Sequence, residues 1–471
     1  MPLFCAGLYL VLLFAVGFAL LSTIAGASNR HWAFLLGASF AGGMSILSLI
    51  LFIASLLGSV PGRMILIATG LVTAGCLILL KSKRRLCRIQ RRERWAAGTI
   101  SDRMIGLIAI VLLLSALVNV AATSLTPGLA DVDAYAIWMF KAKVLAAQPL
   151  RPIPYSLLLP AFSYSHQDYP LSMPLIVAGM YAAVGGVDEQ LGKACLLPTF
   201  AAAGLVLYAA LRDRLSRSKA GLLTGVFLGS GVMVQHAGMA VAEMPLVLQH
   251  SICLIFLLRW LQAYRPADLI GCASFAAFAA FTKNEGLALL PLVGLAALSG
   301  AIRLRLVKQW VIAAAIALIL LLPWLVYRSE LPRSHEDYGS KLTSPLAILH
   351  AIPRFAKVLG LFASELVDLR TAGCLWLLLI AGAAIGWRAW RCQATIILWA
   401  LLVAHLALYL LTFLVTPWEP QTLIPMVGPK LLMHAGPLAI LLIGLMTRDV
   451  IVKGRTTAAI LPTPLNLPHG H

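Results

Sequence analysis

Charge is what this sequence has least of: 12% of its 471 residues are Asp, Glu, Lys or Arg, while 61% are hydrophobic. A soluble domain carries roughly 25% charged residues, so an aqueous surround for most of this chain is excluded, and a mean hydropathy of +0.91 agrees. Acids are scarcer than bases, 18 against 37. Cysteine motifs are missing as well. Cys5, Cys76, Cys87, Cys195, Cys253, Cys272, Cys374 and Cys392 lie mostly within or beside apolar runs, with no CxxC pair and no zinc spacing, and read as small buried hydrophobes. No GxGxxG and no Walker A sequence occurs between the runs, which disfavours a nucleotide-bound substrate. No internal repeat is visible, and duplicated halves are what a transporter would commonly show.

What is present is a succession of apolar stretches of about 20 residues, the length that crosses a bilayer as a helix. They predict an all-α polytopic membrane protein with about 13 transmembrane helices, at 3–25, 32–58, 63–80, 104–125, 190–211, 220–240, 244–262, 268–283, 286–300, 309–327, 371–388, 393–415 and 431–447. A shorter apolar piece, 171–186, reads as a juxtamembrane or re-entrant helix within the first large outer loop. The first run ends in Ala25-Gly26-Ala27-Ser28, like a signal-peptidase site, but no basic residue precedes it, so it reads as a retained span.

Orientation follows from the bases. They cluster at 81–103, Arg212–Lys219, Arg303–Lys308, Arg388–Arg391 and Arg448–Arg455, with Arg30, Arg259 and Arg265 on the same side. Loops rich in Lys and Arg stay in the cytoplasm. The net charge of +19 therefore sets topology, and a nucleic-acid partner is rejected. The N-terminus falls outside and the C-terminus inside, in a bacterial cytoplasmic (inner) membrane. Only Glu93, Asp102, Asp213, Asp268 and Asp449 share the basic side. The other acids face outward, where insertion does not require them; an outward-facing reaction site would.

Three parts are expected: an N-terminal accessory membrane module at 1–103, a catalytic membrane module at 104–447, and a disordered cytoplasmic tail at 448–471 whose His469 and His471 are too few for a metal site. The outer loop 328–370 carries Glu330, Arg333, His335, Glu336, Asp337, Tyr338 and Lys341, and is long enough to fold as a lid or to serve as a solvated connector.

The polar residues that break the apolar pattern gather in the outer connections. Asp131-Val132-Asp133 follows the run Met104–Leu125. Tyr135, Trp138, Lys141 and Leu145 then recur at roughly helical spacing, as in an interfacial helix with its aromatics at headgroup depth. A helix N-cap explains one of the two acids but not both. His166-Gln167-Asp168-Tyr169-Pro170 opens the short apolar helix, where a plain turn is the alternative. Glu243 sits in a tight turn between two runs, and an acid this close to hydrocarbon needs a polar cavity or a cation. Lys283 and Glu285 flank the next turn, either paired with each other or with Lys283 free to neutralise a phosphate. Lys430 and His434, four residues apart, share one helix face and together could bind an anion; snorkelling of Lys430 is the alternative.

Together, Asp131-Val132-Asp133, His166-Gln167-Asp168-Tyr169-Pro170, Ala242-Glu243-Met244-Pro245-Leu246 and Thr282-Lys283-Asn284-Glu285-Gly286 resemble the GT-C superfamily of integral-membrane glycosyltransferases, in the bacterial branch related to protein O-mannosyltransferases and lipid A aminoarabinose transferases. The resemblance covers roughly 104–447 and rests on order and spacing. It implies a polyprenyl-phosphate sugar donor used on the outer face, a lipid, glycan or protein acceptor, and surrounding membrane lipids. It also implies an acid of the first outer loop, Asp131 or Asp133, as base toward the acceptor hydroxyl, and a second acid at Glu243, where the family usually has aspartate. Inverting displacement is expected, with Lys283, Lys430 and Lys141 at the departing phosphate. His166, Asp168, Tyr169, Glu285 and His434 complete the expected substrate-binding set. No cofactor is expected; two carboxylates could hold a divalent cation, but no ligand set demands one. The competing readings are a lipid-linked glycan or small-molecule transporter or flippase, and a non-catalytic assembly subunit.

Overall fold

Inside hydrocarbon a backbone must satisfy its own polar groups, and an α-helix does so within one segment. The computed structural model describes residues 1–25, 29–89, 99–129, 131–333, 338–386, 389–390 and 392–452, and its regular structure is helical apart from a two-residue parallel bridge between Asn29–Arg30 and Arg88–Ile89. The expected tail beyond 452, residues 90–98 of the basic stretch 81–103, Arg388 and Arg391, and His335, Glu336 and Asp337 lie outside the described residues.

The protein is an all-α polytopic membrane protein. Eleven described helices are long and apolar enough to cross a bilayer, or up to twelve if one bent pair counts as a span. The differences from the expected spans are local. The run at 220–240 divides into Arg217–Leu228 and Gly231–Ala237, bent by 70°. Gly231 explains the break, because a Cβ there would meet the Arg370 carbonyl at 2.2 Å, while the next amide, Val232, donates to Thr371 O. Pro266–Thr282 and Leu375–Ile385 are apolar but short, as is Ser172–Val184. The outer loop is itself helical in part, and its stretch Pro345–Val367 is apolar enough to count among the eleven.

Burial is uneven. Glu243–Ala263 and Pro420–Thr447 are enclosed along most of their length, whereas Arg63–Ser82 and Ile100–Leu125 expose most of theirs, as lipid-facing helices do. Trp32–Leu56 is also well enclosed. Its Ser45 accepts from Gln249 at 2.7 Å, its Ser48 meets Ser172 at 2.9 Å, and its Phe52 packs edge-on against Phe281, Trp324 and Tyr327 at 5.4–6.2 Å. Those contacts brace the helices that carry the polar residues described next.

Candidate active site

One cavity of about 1760 Å³ opens among the ends of the helices, and most of the expected outer connections contribute to its lining: Asp131 and Asp133, His166 and Asp168, Glu243, Lys283 and Glu285, Arg328 and Tyr338, and Trp418 and Lys430. Glu243–Ala263 starts at the cavity and carries Arg259 near its far end.

Asp131 and Asp133 divide their work. Asp131 Oδ1 accepts from the Ala134 amide at 3.2 Å and so caps the turn that follows. Asp133 opens a π-helical stretch, Asp133–Trp138, a geometry often found at functional sites. Its Oδ2 lies 2.9 Å from Lys430 Nζ, and neither side chain is sealed (37% and 18% exposed). The expected interfacial face does not form: Tyr135 is exposed, but Trp138 is buried and packs on Tyr169 at 5.9 Å between centroids.

Glu243 and Lys283 are both almost fully buried. Lys283 Nζ lies 2.9 Å from Glu243 Oε1 and 2.7 Å from Glu285 Oε1, so it bridges two carboxylates rather than choosing one. Burial alone would lower the Lys283 ammonium; the two carboxylates outweigh it and hold the group above its usual range, so it stays charged. Glu243 starts its helix, where the dipole favours an anion, and its Oε2 is buried with no hydrogen-bond partner among the described residues. Gly286 permits this turn: a Cβ there would meet Ala279 O at 2.1 Å.

The loop 166–169 is fastened from beneath. His166 adopts a left-handed backbone (φ 48°), and its ring lies 4.6 Å from that of Tyr169. Lys141 is fully buried and donates to His166 O at 2.6 Å and Tyr169 O at 3.4 Å. It is absent from the cavity lining, so the structure places it as a backbone clamp and not beside a phosphate. Burial brings its ammonium down to about 7, against the pull of Asp168. Asp168 Oδ2 meets Arg328 at 3.0 Å, and its Oδ1 is buried without a partner among the described residues. Arg328 also lines the cavity and was not anticipated from the sequence; it ends an apolar run and there resembles an ordinary anchoring base.

Lys430 and His434 do share a helix face, but only Lys430 reaches the cavity. His434 is fully buried, with neither ring nitrogen hydrogen-bonded among the described residues, so the two do not form a joint anion site. Around it three polar faces meet inside the bundle. His250 follows Glu243 by two turns and its Nδ1 lies 3.0 Å from His434 O. His405 packs on His250 at 5.5 Å and on Tyr409 at 4.5 Å, and Tyr409 and Thr412 line the cavity. None of His250, His405 or Tyr409 was singled out in the sequence.

The outer loop closes one side through Arg333 and Tyr338. The Tyr338 hydroxyl lies 3.3 Å from Thr416 Oγ1, and Arg354 donates to the carbonyls of Thr416 and Trp418. Among the described residues no group of three or more His, Cys, Asp or Glu side chains is arranged to hold a metal ion.

Comparison with known proteins finds no match among curated sequences. The crystal structure of ArnT from Cupriavidus metallidurans bound to undecaprenyl phosphate aligns with a TM-score of 0.48 at 16% identity, covering 72% of this chain and 59% of that one; the chain thus spans less than two thirds of that protein's aligned structure. Residues 168–327, a segment holding Asp168, Tyr169, Glu243, Lys283 and Glu285, match the family described as dolichyl-phosphate-mannose-protein mannosyltransferase.

Proposed function

We propose that this protein is a membrane glycosyltransferase of the GT-C type, moving a sugar from a polyprenyl-phosphate donor to an acceptor hydroxyl on the outer face of a bacterial cytoplasmic membrane. One observation carries the reading: acid–cation pairs from separate connections, Asp133–Lys430, Glu243–Lys283–Glu285 and Asp168–Arg328, converge on a single cavity at the end of a lipid-embedded bundle. The family match over 168–327 supports it.

A lipid-linked donor holds its phosphate at headgroup depth and needs cations there with a base opposite. In the proposed reaction the acceptor oxygen attacks the anomeric carbon as the bond to the phosphate oxygen breaks, with inversion. The acceptor proton passes to Asp133, and the electron pair of the broken bond leaves on the phosphate. Lys430 is the pivot. While it pairs with Asp133 it occupies one oxygen of that carboxylate; drawn toward an arriving phosphate, it leaves that oxygen open to the acceptor proton. Lys283 adds a fixed positive charge, held ionised by its two carboxylates. Arg328 offers the planar fork that grips phosphate or carboxylate, which a lysine lacks. Pre-placed donors of this kind contribute about 3 kcal/mol each when tested by removal. Glu243 keeps one oxygen on Lys283 and so holds that cation at the cavity wall.

The test is transfer from a radiolabelled polyprenyl-phosphate sugar in membranes containing the wild type, Asp133→Asn, Asp131→Asn or Glu243→Gln. Product formation by the wild type and its loss in Asp133→Asn is expected. Undiminished transfer in all three variants would end the assignment, and movement of the intact donor across the membrane without product would replace it with a flippase.

A further inference from the structure

The segment that carries Asp131 and Asp133 begins where the helix Ile100–Leu125 runs out, and a helix end leaves its last carbonyls without internal partners. Here a neighbouring helix of six residues, Glu189–Ala194, supplies partners. Lys193 Nζ donates to Thr123 O at 3.0 Å, Thr126 O at 2.5 Å and Gly128 O at 3.0 Å. Gln190 Nε2 donates to Leu125 O at 2.6 Å. An ammonium has three protons, and all three are directed at this one stretch of backbone by a side chain only 6% exposed.

The same short helix reaches the far side of the acids. Glu189 pairs with Lys143 in the helix Met139–Ala147, downstream of Asp133. Asp188 in turn fixes the short helix, its Oδ1 accepting from Leu191 N at 2.9 Å. A simple helix stop needs only a glycine or asparagine after the last turn, and Gly128, with φ +87°, already provides a left-handed residue in this stretch. A buried lysine on three further carbonyls exceeds that need. Charge-assisted hydrogen bonds are about twice as strong as neutral ones, so the arrangement stiffens the approach to Asp131.

We propose that Glu189–Ala194 is the positioning element of the acid pair: Lys193 and Gln190 fix the chain that enters Asp131-Val132-Asp133, the Glu189–Lys143 pair fixes the chain that leaves it, and together they set where the Asp133 carboxylate meets the acceptor. Among the described residues no hydrogen bond or ion pair joins the element to either acid. Its effect on rate rests on the glycosyl-transfer reading; its effect on the backbone does not.

The experiment uses the purified full chain and two readouts, amide hydrogen exchange over 126–138 and transfer kinetics with a polyprenyl-phosphate sugar. Lys193→Met should speed exchange in that segment while Glu243–Ala263 stays protected. Turnover should fall about 10²-fold, the scale of a small misplacement of reacting groups, with the donor KM unchanged. Lys193→Arg should restore part of both, and Gln190→Leu should give a smaller step in the same direction. If Lys193→Met loosens the whole bundle, Gln190→Leu decides by the same two readings. Unchanged exchange over 126–138 overturns the clamp. Faster exchange with wild-type turnover overturns its role in positioning. A wild type that transfers nothing removes the proposed reaction, and exchange alone then judges the clamp.

Discussion

Both ends of the bundle bury an acid against a cation, yet the surroundings differ. At the basic end Arg30 meets Asp268 at 3.0 Å with both side chains buried. The Arg30 guanidinium lies 5.9 Å from the Phe256 ring and that of Arg259 lies 4.2 Å from Phe34, while the two rings pack edge-on. Arginines and aromatics interlock there, which is how a structural ion pair recovers part of its desolvation cost. At the cavity end the cations are two lysines and two arginines, the pairs border about 1760 Å³ of open space, and carboxylate oxygens of Glu243 and Asp168 have no partner among the described residues. Similar pairs serve as fastening where the surroundings are complete, and are free to exchange partners where they are not.

The largest break in that comparison comes from removing one cation at each end. Lys283→Met strands Glu243, and Arg30→Met strands Asp268. Each should lower stability by about 3–5 kcal/mol, the cost of leaving a buried charge unpaired, measured as thermal unfolding in detergent. Only Lys283→Met should also abolish transfer when activity is normalised to folded protein. Next in size is the division between the two acids of the first outer loop. Asp133→Asn should reduce turnover by about 10²–10⁴-fold, the range of a lost general base. Asp131→Asn should change little, because asparagine caps as well as aspartate, whereas Asp131→Ala should cost about 1 kcal/mol of stability.

A smaller effect belongs to Lys141. Its ammonium is held near 7, below the ordinary 10.5, so between those values the unfolded chain binds more protons than the folded one. Stability must then rise with pH across that window, by at most about 1.4 kcal/mol per unit from this group. The difference in melting temperature between wild type and Lys141→Met, followed from pH 7 to 10, should show the rise in the wild type alone. Smallest of all is Arg151–Glu330, a two-pronged pair at 2.6 and 2.5 Å on an open surface. Glu330→Gln should leave both melting temperature and transfer unmoved, as exposed pairs generally do.

How much of this was legible in the sequence depended on contrast. Glu243, Lys283 and Lys430 stood out because an ionisable group beside twenty apolar residues has few innocent explanations. Their partners did not stand out: Lys430 meets Asp133 across 297 positions, and no local pattern encodes that. Lys141 was misplaced because spacing gives a helical face but not what covers it. His250 and His405 sit in mid-run, where a lone imidazole reads as tolerated polarity until the other helices are in place. The 70° break was not read from the sequence, which shows one apolar run at 220–240; the carbonyl that Gly231 accommodates comes from residue 370.

The meeting of His250, His405 and His434 has a consequence for assembly. Between helices in lipid, apolar side chains discriminate poorly among rotational settings, since acyl tails are as greasy as leucine. Turning any one of these three helices by a residue would take an imidazole or the Tyr409 phenol out of the cluster and set it against apolar side chains, a change that an apolar residue would not feel. The three polar faces therefore act as an alignment key, admitting one azimuth per helix and with it the angle at which Glu243 and Lys430 enter the cavity.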